Sequence, residues 1–365
     1  MQKCDSFFSV CSSFYRFSCL RINFMLKLKT DKTSRRISML DFLDKFDGVQ
    51  IIDESNYFSV MTEKVEPYLA SKRNDGTFLS ADGLTLHYEQ YDKKLSRGTV
   101  VILHGFTESA EKFREMTYYF RKAGYSVFVP DLRGHGKSEH RSGKTERVET
   151  DNFDLYREDL EIFMDKVVRP SAGDKKIYFY THSLGSTVAL LYMIKNPYAV
   201  HKAVLSSPMI CGNMGMPVAV ASTAAKLICL FGGKNISAPG RCVFNKEQTA
   251  ENSDASSQAR FDYYHSKRKR EPLYQTSGPS FGWVKASLMA KDKILSPQSI
   301  RMLKTKLLIF KPEEDKQLLG EYTDKFASMA RIKVKNVKNS RHEIFMSGNE
   351  TLRWYFDEII GFFRD

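Results

Sequence analysis

One stretch, residues 177–194, restricts what this chain can fold into more than any other. The apolar run Ile177-Tyr-Phe-Tyr180 breaks at Thr181-His-Ser-Leu-Gly185, and Ser186-Thr-Val-Ala-Leu-Leu-Tyr-Met-Ile194 resumes with helical spacing. That is strand, sharp turn, helix. A serine at such a turn stands on a strained backbone with its hydroxyl clear of the sheet and a helix N-terminus beneath it, the arrangement of a nucleophile elbow. Strand and helix backbones pass close together there, so small residues must flank the serine, and Gly185 supplies one. Thr181 occupies the first position of the usual G-x-S-x-G pattern. The competing structural reading is a serine capping a helix N-terminus.

The flanking sequence repeats the strand-then-helix unit. Phe78-Leu79 and Leu84-Thr-Leu-His-Tyr88 enclose Ala81-Asp-Gly83 and predict a β-hairpin. Apolar strands are expected at 98–106, 126–130, 202–206, 306–310 and 332–337, with helical spacing over 110–123 and 154–168. Weak helical patterning covers 39–46 and 65–72. Strands alternating with helices predict crossover units and a mostly parallel sheet flanked by helices, an α/β architecture whose ligand crevice lies at the C-terminal strand ends. About ninety residues separate the strands at 202–206 and 306–310, too many for a structureless loop. A helical cap is therefore expected over 210–300, inserted into a core formed by 74–209 and 301–365. Residues 1–73 read as an N-terminal extension.

The chain has 365 residues, 42% hydrophobic and 27% charged, which excludes disordered and fibrous classes. Its net charge of +13 invites an anionic partner. Residues 1–38 carry eight basic side chains against Asp5 and Asp31, leaving +7 on the remainder. That leader is expected to be disordered or outside the true protein, with Met25 or Met39 as alternative starts. The basic run Lys267-Arg-Lys-Arg270 reads as a solvated helix face, and no nucleic-acid motif accompanies it. Six cysteines show neither metal-ligand spacing nor a disulfide framework, which favours a reducing, cytoplasmic compartment. No secretory signal and no run of about 18 apolar residues is present, so the chain reads as soluble or peripheral to a membrane. The apolar stretch 217–231 reads as a surface for a lipid-like ligand.

A serine nucleophile needs a base and an acid to orient it, and at a nucleophile elbow they follow the serine in the order acid, then histidine. Of eight histidines, His87, His104, His135, His140 and His182 precede or abut Ser183. His201 sits before a strand, and His265 lies in the cap. His342, just past the last strand, remains. The acid should leave the strand at 306–310, where Glu313, Glu314 and Asp315 compete; an acidic turn capping a helix near Lys316 is the structural alternative. Two backbone N–H donors for an oxyanion should come from Leu184 and from the loop after His104-Gly105, which makes Phe106 the candidate. His104 reads as a structural support of that loop. Arg133-Gly-His-Gly-Lys-Ser138 lacks P-loop spacing and reads, with Asp131, as a brace for the same sheet end.

His104-Gly-Phe-Thr-Glu-Ser109, Pro130-Asp-Leu-Arg-Gly-His-Gly-Lys-Ser138, Thr181-His-Ser-Leu-Gly185, Pro312-Glu-Glu-Asp315 and Arg341-His-Glu343 fall in the order and spacing of α/β-hydrolases. The chain over about 74–365 resembles the lysophospholipase and monoacylglycerol lipase group, sometimes described as serine aminopeptidase-like. Asn252-Ser253, Arg260-Phe-Asp-Tyr-Tyr264, Pro272-Leu273 and Gly278-Pro-Ser-Phe-Gly-Trp-Val284 resemble the cap of bacterial lysophospholipases. The resemblance implies Ser183 as nucleophile, Asp315 as acid, His342 as base, and Phe106 and Leu184 as oxyanion donors. It implies an ester hydrolase of monoacyl lipids with no metal or organic cofactor and no nucleic-acid partner. An aminopeptidase on the same fold and a non-catalytic binding module are the alternatives. Thr181, Ser186 and Pro312 depart from the family's usual Gly, Gly and Gly or Ala.

Overall fold

A computed structural model describes residues 49–143, 146–239 and 243–365. The expectations for the basic leader and for helical patterning at 39–46 fall outside these residues. The hairpin is β1 (Asn74–Leu79) and β2 (Thr85–Tyr91), antiparallel with Leu79 opposite Thr85. Its turn needs a left-handed residue, and Gly83 supplies it at φ 86°. There follow β3 (Thr99–Leu103), α1 (Arg114–Lys122), β4 (Ser126–Pro130), β5 (Arg147–Val148), α2 (Asp154–Phe163), β6 (Ile177–His182), α3 (Leu184–Lys195) and β7 (Lys202–Ser206). The stretch between β7 and the next long strand holds α4 (Val218–Leu230), α5 (Gln258–Arg270), β8 (Gly278–Pro279), α6 (Phe281–Ile294) and α7 (Pro297–Met302). The chain closes with β9 (Lys306–Pro312), α8 (Gly320–Ala330), β10 (Val334–Val337) and α9 (Asn349–Arg364).

The main sheet has eight strands in the order β1-β2-β4-β3-β6-β7-β9-β10. Pairs from β4 to β10 are parallel, and the β1-β2 hairpin adds an antiparallel edge. From β3 the chain steps to β4 on one side, then crosses back to β6 and on to β10. The direction of winding thus reverses beside β3, and a crevice opens between the loops after β3 and β6.

Strand side chains alternate between two apolar layers, which is why these strands read as continuous hydrophobic runs. Val101, Leu103, Phe179, Ala203 and Ile309 face a layer shared with Leu160, Val188, Ile294 and Phe326, from α2, α3, α6 and α8. Val100, Ile102, Tyr180, Val204 and Phe310 face one shared with Met116, Phe120, Tyr355 and Ile359, from α1 and α9.

Part of the expected N-terminal extension is integral to that second layer. Residues 54–70 form a succession of short helical turns, and Tyr57, Met61, Val65 and Leu69 are buried. Each such burial contributes about 1.5–3 kcal/mol, so the core begins well before residue 74. The cause is a charge buried at long range. The guanidinium of Arg260 on α5 donates to Glu115 on α1 at 2.9 and 3.0 Å, to the Ile52 carbonyl at 2.9 Å and to Asn349 at 3.3 Å. Tyr57 and Tyr119 hydroxyls donate to the same Glu115 carboxylate at 2.9 and 2.6 Å. The basic run at the end of α5 is also not a uniform solvated face. Lys267 pairs with Glu66 and Glu111, whereas Lys269 and Arg270 are exposed.

Candidate active site

Ser183 closes β6 and opens α3 with φ 49° and ψ −115°, a conformation that costs a non-glycine residue on the order of 1–3 kcal/mol. Backbone hydrogen bonds hold it there: Ser183 N–H donates to Ser206 O at 3.1 Å, and Met209 and Ser186 N–H groups donate to Ser183 O at 3.1 and 3.0 Å. The helix crosses so close to β3 that a Cβ on Gly185 would lie 2.6 Å from the Leu103 carbonyl carbon and 2.7 Å from His104 O. Glycine is needed here for space, since Gly185 has no positive φ.

Two departures from the family pattern satisfy each other. Thr181 Oγ1 donates to Val204 O at 2.9 Å and lies 2.8 Å from Ser186 Oγ. With the threonine proton committed to the carbonyl, the Ser186 hydroxyl is the donor. A side-chain hydrogen bond thus ties the strand end to the first helical turn.

The loop after β10 brings His342 over the elbow. Its Nε2 is 3.0 Å from Ser183 Oγ, and its Nδ1 is 2.9 Å from Asp315 Oδ2. The carboxylate can only accept, so Nδ1 carries the proton and Nε2 accepts from the serine hydroxyl. Burial lowers the pKa of His342, but the Asp315 hydrogen bond and charge outweigh it and the net shift is upward. The structure also separates the three carboxylates. Asp315 Oδ1 accepts from Gln317 and Leu318 N–H at 2.9 and 3.1 Å, which leaves Oδ2 for the imidazole. Glu313 accepts from Asn339 N–H at 2.7 Å, and Glu314 is exposed. The turn therefore caps itself, and the helix after it starts only at Gly320.

His182 lies alongside, its ring 4.8 Å from that of His342. Burial, only partly offset by the Glu108 carboxylate, pushes its pKa down to about 3, so it is neutral at physiological pH. It has no partner on Nδ1 among the described residues and lacks the carboxylate contact that His342 has at hydrogen-bond distance.

The loop after β3 faces the elbow. His104 Nε2 accepts from Leu132 N–H at 2.9 Å and its Nδ1–H donates to Gly105 O at 2.8 Å, which pins the loop to the end of β4. Gly105 N–H donates to Glu108 at 2.5 Å, and a Cβ on Gly105 would meet Glu108 and His182 at 2.7 and 2.8 Å. Burial raises the Glu108 pKa, but the Lys112 charge and the Gly105 N–H hold it down at about 2. Among the described residues, the backbone N–H groups of Phe106 and Leu184 donate to no protein acceptor. Asp131 braces the same end of the sheet, accepting from Ala110 and Lys137 N–H at 2.7 and 3.0 Å. Arg133 forks between Asp159 and Asp82.

Several supports escaped the sequence reading. Ser207, at φ 45°, donates from Oγ to His342 O at 2.6 Å and from its N–H to Phe310 O, tying the histidine loop to β7 and β9. Arg341 Nη1 donates to the carbonyls of Ala250, Glu251 and Ala255 at 2.8, 3.0 and 3.2 Å, so the insertion clamps the residue beside His342. Trp283 on α6 packs 4.5 Å from the Phe106 ring. Lys112 binds Glu108 from the β3 loop at 2.9 Å and Glu343 from the histidine loop. The one signal available for these was that Arg341, Glu343 and Trp283 lie within motif runs. Among the described residues, no cluster of His, Cys, Asp and Glu is arranged to hold a metal ion.

The Hydrolase_4 family, described as serine aminopeptidase S33, matches residues 94–349. A probable lysophospholipase L2 of Haemophilus influenzae is 24% identical over 291 residues, covering 78% of this chain and 88% of the relative. A monoacylglycerol lipase of Mycolicibacterium smegmatis is 26% identical over 252 residues, covering 68% and 81%. In structure, a soluble variant of monoglyceride lipase from Saccharomyces cerevisiae superposes with a TM-score of 0.65 at 17% identity, covering 80% of this chain and 94% of that one. That likeness shows the α/β-hydrolase fold. With the family match spanning well over half of its length, the chain belongs to the serine aminopeptidase S33 family of α/β-hydrolases.

Proposed function

We propose that this protein is a serine hydrolase that cleaves the carboxylic ester of monoacyl lipids through an acyl-enzyme on Ser183. The observation that carries the reading is the unbroken chain of hydrogen bonds from Asp315 through His342 to the Ser183 hydroxyl. His342 Nε2 takes the serine proton as Oγ attacks the ester carbonyl, and Asp315 stabilises the imidazolium that forms. The alkoxide develops beside the N–H groups of Leu184 and Phe106, and neither has another protein partner among the described residues to give up. The imidazolium then protonates the departing glycerol or glycerophospho group. A water activated by the same nitrogen releases the fatty acid and restores the serine. No step needs a metal or organic cofactor.

The lipid assignment draws on two supports. Relatives spanning most of the chain are named lysophospholipase and monoacylglycerol lipase. On α4, Ala221 and Ala225 pack inward, while Leu230 and Phe231, the residue that caps the helix, stand 76% and 85% exposed with Val220 and Leu227 beside them. Exposed large apolar residues on one helix, next to an exposed Lys226, suit contact with an anionic bilayer surface from which the substrate is drawn. No helix among the described residues is long and apolar enough to cross a membrane. The test is a substrate panel of lysophospholipids, monoacylglycerols, acetate esters and chromogenic aminoacyl amides, run beside Ser183→Ala. Long-chain monoacyl esters are expected to turn over fastest; preference for the amides, or equal rates on acetate and long-chain esters, would overturn the lipid assignment.

A further inference from the structure

Within the basic run closing α5, Arg268 is neither exposed like Lys269 and Arg270 nor paired with carboxylates like Lys267. Its Nε donates to Tyr274 O at 2.8 Å and its Nη2 to Thr276 O at 3.1 Å, while the guanidinium plane lies 4.4 Å from the centre of the Phe244 ring. Two carbonyls and one ring therefore fix the orientation of the fork. Nη1 has no acceptor among the described residues, and no carboxylate among them pairs with the charge. This sets Arg268 apart from its neighbour Lys267, which two glutamates neutralise.

Arg268 lines a cavity of about 200 Å³ whose other polar walls come from Thr107, Asn245, Gln248, Asn252, Thr276 and Ser277. That is far above the roughly 10–15 Å³ that holds a single water, and below the roughly 300–1,000 Å³ of a site that encloses a whole drug-sized ligand. The space suits one end of a substrate. Amide and hydroxyl groups with an unneutralised guanidinium form a donor-rich wall, the chemistry that receives phosphate oxygens. None of Ser183, Leu184 and His342 lines the cavity; its link to the proposed reaction centre is Thr107, which directly follows Phe106 in the loop after β3.

We propose that this cavity binds the phosphate-bearing headgroup of a lysophospholipid, with Arg268 as the group that distinguishes it from an uncharged monoacylglycerol. The proposal rests on the reading of Ser183 as a nucleophile for monoacyl esters. Nη1 and the uncommitted N–H of Nη2 would meet two phosphate oxygens, while the amides receive the remaining oxygen and the glycerol hydroxyl. The acyl carbonyl then lies toward the Phe106 and Leu184 N–H groups.

The test compares kcat/KM on lysophosphatidylglycerol and on monoacylglycerol of the same acyl chain for the parent, Arg268→Gln and Arg268→Lys. In Arg268→Gln, the ratio of lysophospholipid to monoacylglycerol activity is expected to fall about tenfold, mostly through KM, as befits loss of a charge-assisted hydrogen bond. Arg268→Lys, which keeps the charge, is expected to retain part of the ratio. An unchanged ratio in Arg268→Gln would overturn the proposal, and so would an equal loss on both substrates. Calorimetric binding of glycerol 3-phosphate to the parent separates the site from the reaction, since it reads headgroup binding even if neither lipid is hydrolysed. Binding that weakens about tenfold in Arg268→Gln, and by less in Arg268→Lys, supports the site. No binding by the folded parent, or inorganic phosphate binding as tightly as glycerol 3-phosphate, overturns it.

Discussion

Replacing Gly185 by alanine tests whether the close passage of α3 over β3 is what holds the elbow. The added Cβ would sit 2.6 Å from the Leu103 carbonyl carbon and 2.7 Å from His104 O, and closer still to Leu103 O. Carbon contacts are comfortable at about 3.5–4.0 Å, so helix and strand must separate by about 1 Å. The obstructing atoms are backbone atoms of a central strand and cannot swing aside. Overpacking of this kind costs about 1–3 kcal/mol, and the upper end applies here. The same shift moves Ser183 and the Leu184 N–H away from the 104–107 loop, and a misplacement of about 1 Å in a reacting group can cost on the order of 10²-fold in rate. Urea unfolding gives the stability term, and pre-steady-state acylation by a p-nitrophenyl ester gives the rate. Gly185→Ala is expected to lose about 3 kcal/mol and to acylate about a hundredfold more slowly. Stability within about 0.5 kcal/mol of the parent and an unchanged acylation rate would refute the steric argument.

Two further predictions concern buried charge. Arg260→Met leaves the Glu115 carboxylate buried with only tyrosine donors, which should cost about 3–5 kcal/mol in urea unfolding; adding Glu115→Gln should recover much of that loss, and strict additivity would contradict the coupling. Asp315→Asn removes the group that raises the His342 pKa, so the acid limb of kcat/KM, which in the parent lies above the ordinary histidine value of 6.5, should move to lower pH. The kcat of that variant should fall on the order of 10⁴-fold. The sign for stability runs the other way: protonated His342 gains its partner on folding, so its contribution is present below the ordinary histidine pKa and is lost as pH rises through the raised folded value.

The central strands β3, β4, β6 and β7 were legible because each is buried on both faces, which forces continuous apolar runs. The pairing of Ser183 with His342, 3.0 Å apart, could be anticipated because chain order and strand ends eliminate the other histidines as its partner. Asp315 was not separable from Glu313 and Glu314 by sequence, since what distinguishes them is where each carboxylate points: one caps its own turn and reaches His342, one holds Asn339, one faces solvent. The role of residues 51–69 was hidden for a different reason. Their tie to the core runs through Arg260 and Glu115, far apart in sequence, and Arg260 carries no local sign that it is buried. Arg268 was masked by its neighbours, since a run of four basic residues reads as one solvated face although one member is paired and another lines a cavity. Thr181 and Ser186 looked like separate departures from a family pattern, and only their 2.8 Å contact shows that they compensate each other.

The central claim is that Ser183 is an activated nucleophile. Its most direct test is to react the folded protein with a long-chain fluorophosphonate and locate the adduct by peptide mass mapping. The expected result is one adduct, on the peptide containing Ser183, absent in Ser183→Ala and strongly slowed in His342→Ala. An adduct on another residue, or no adduct on the folded parent, would contradict the account.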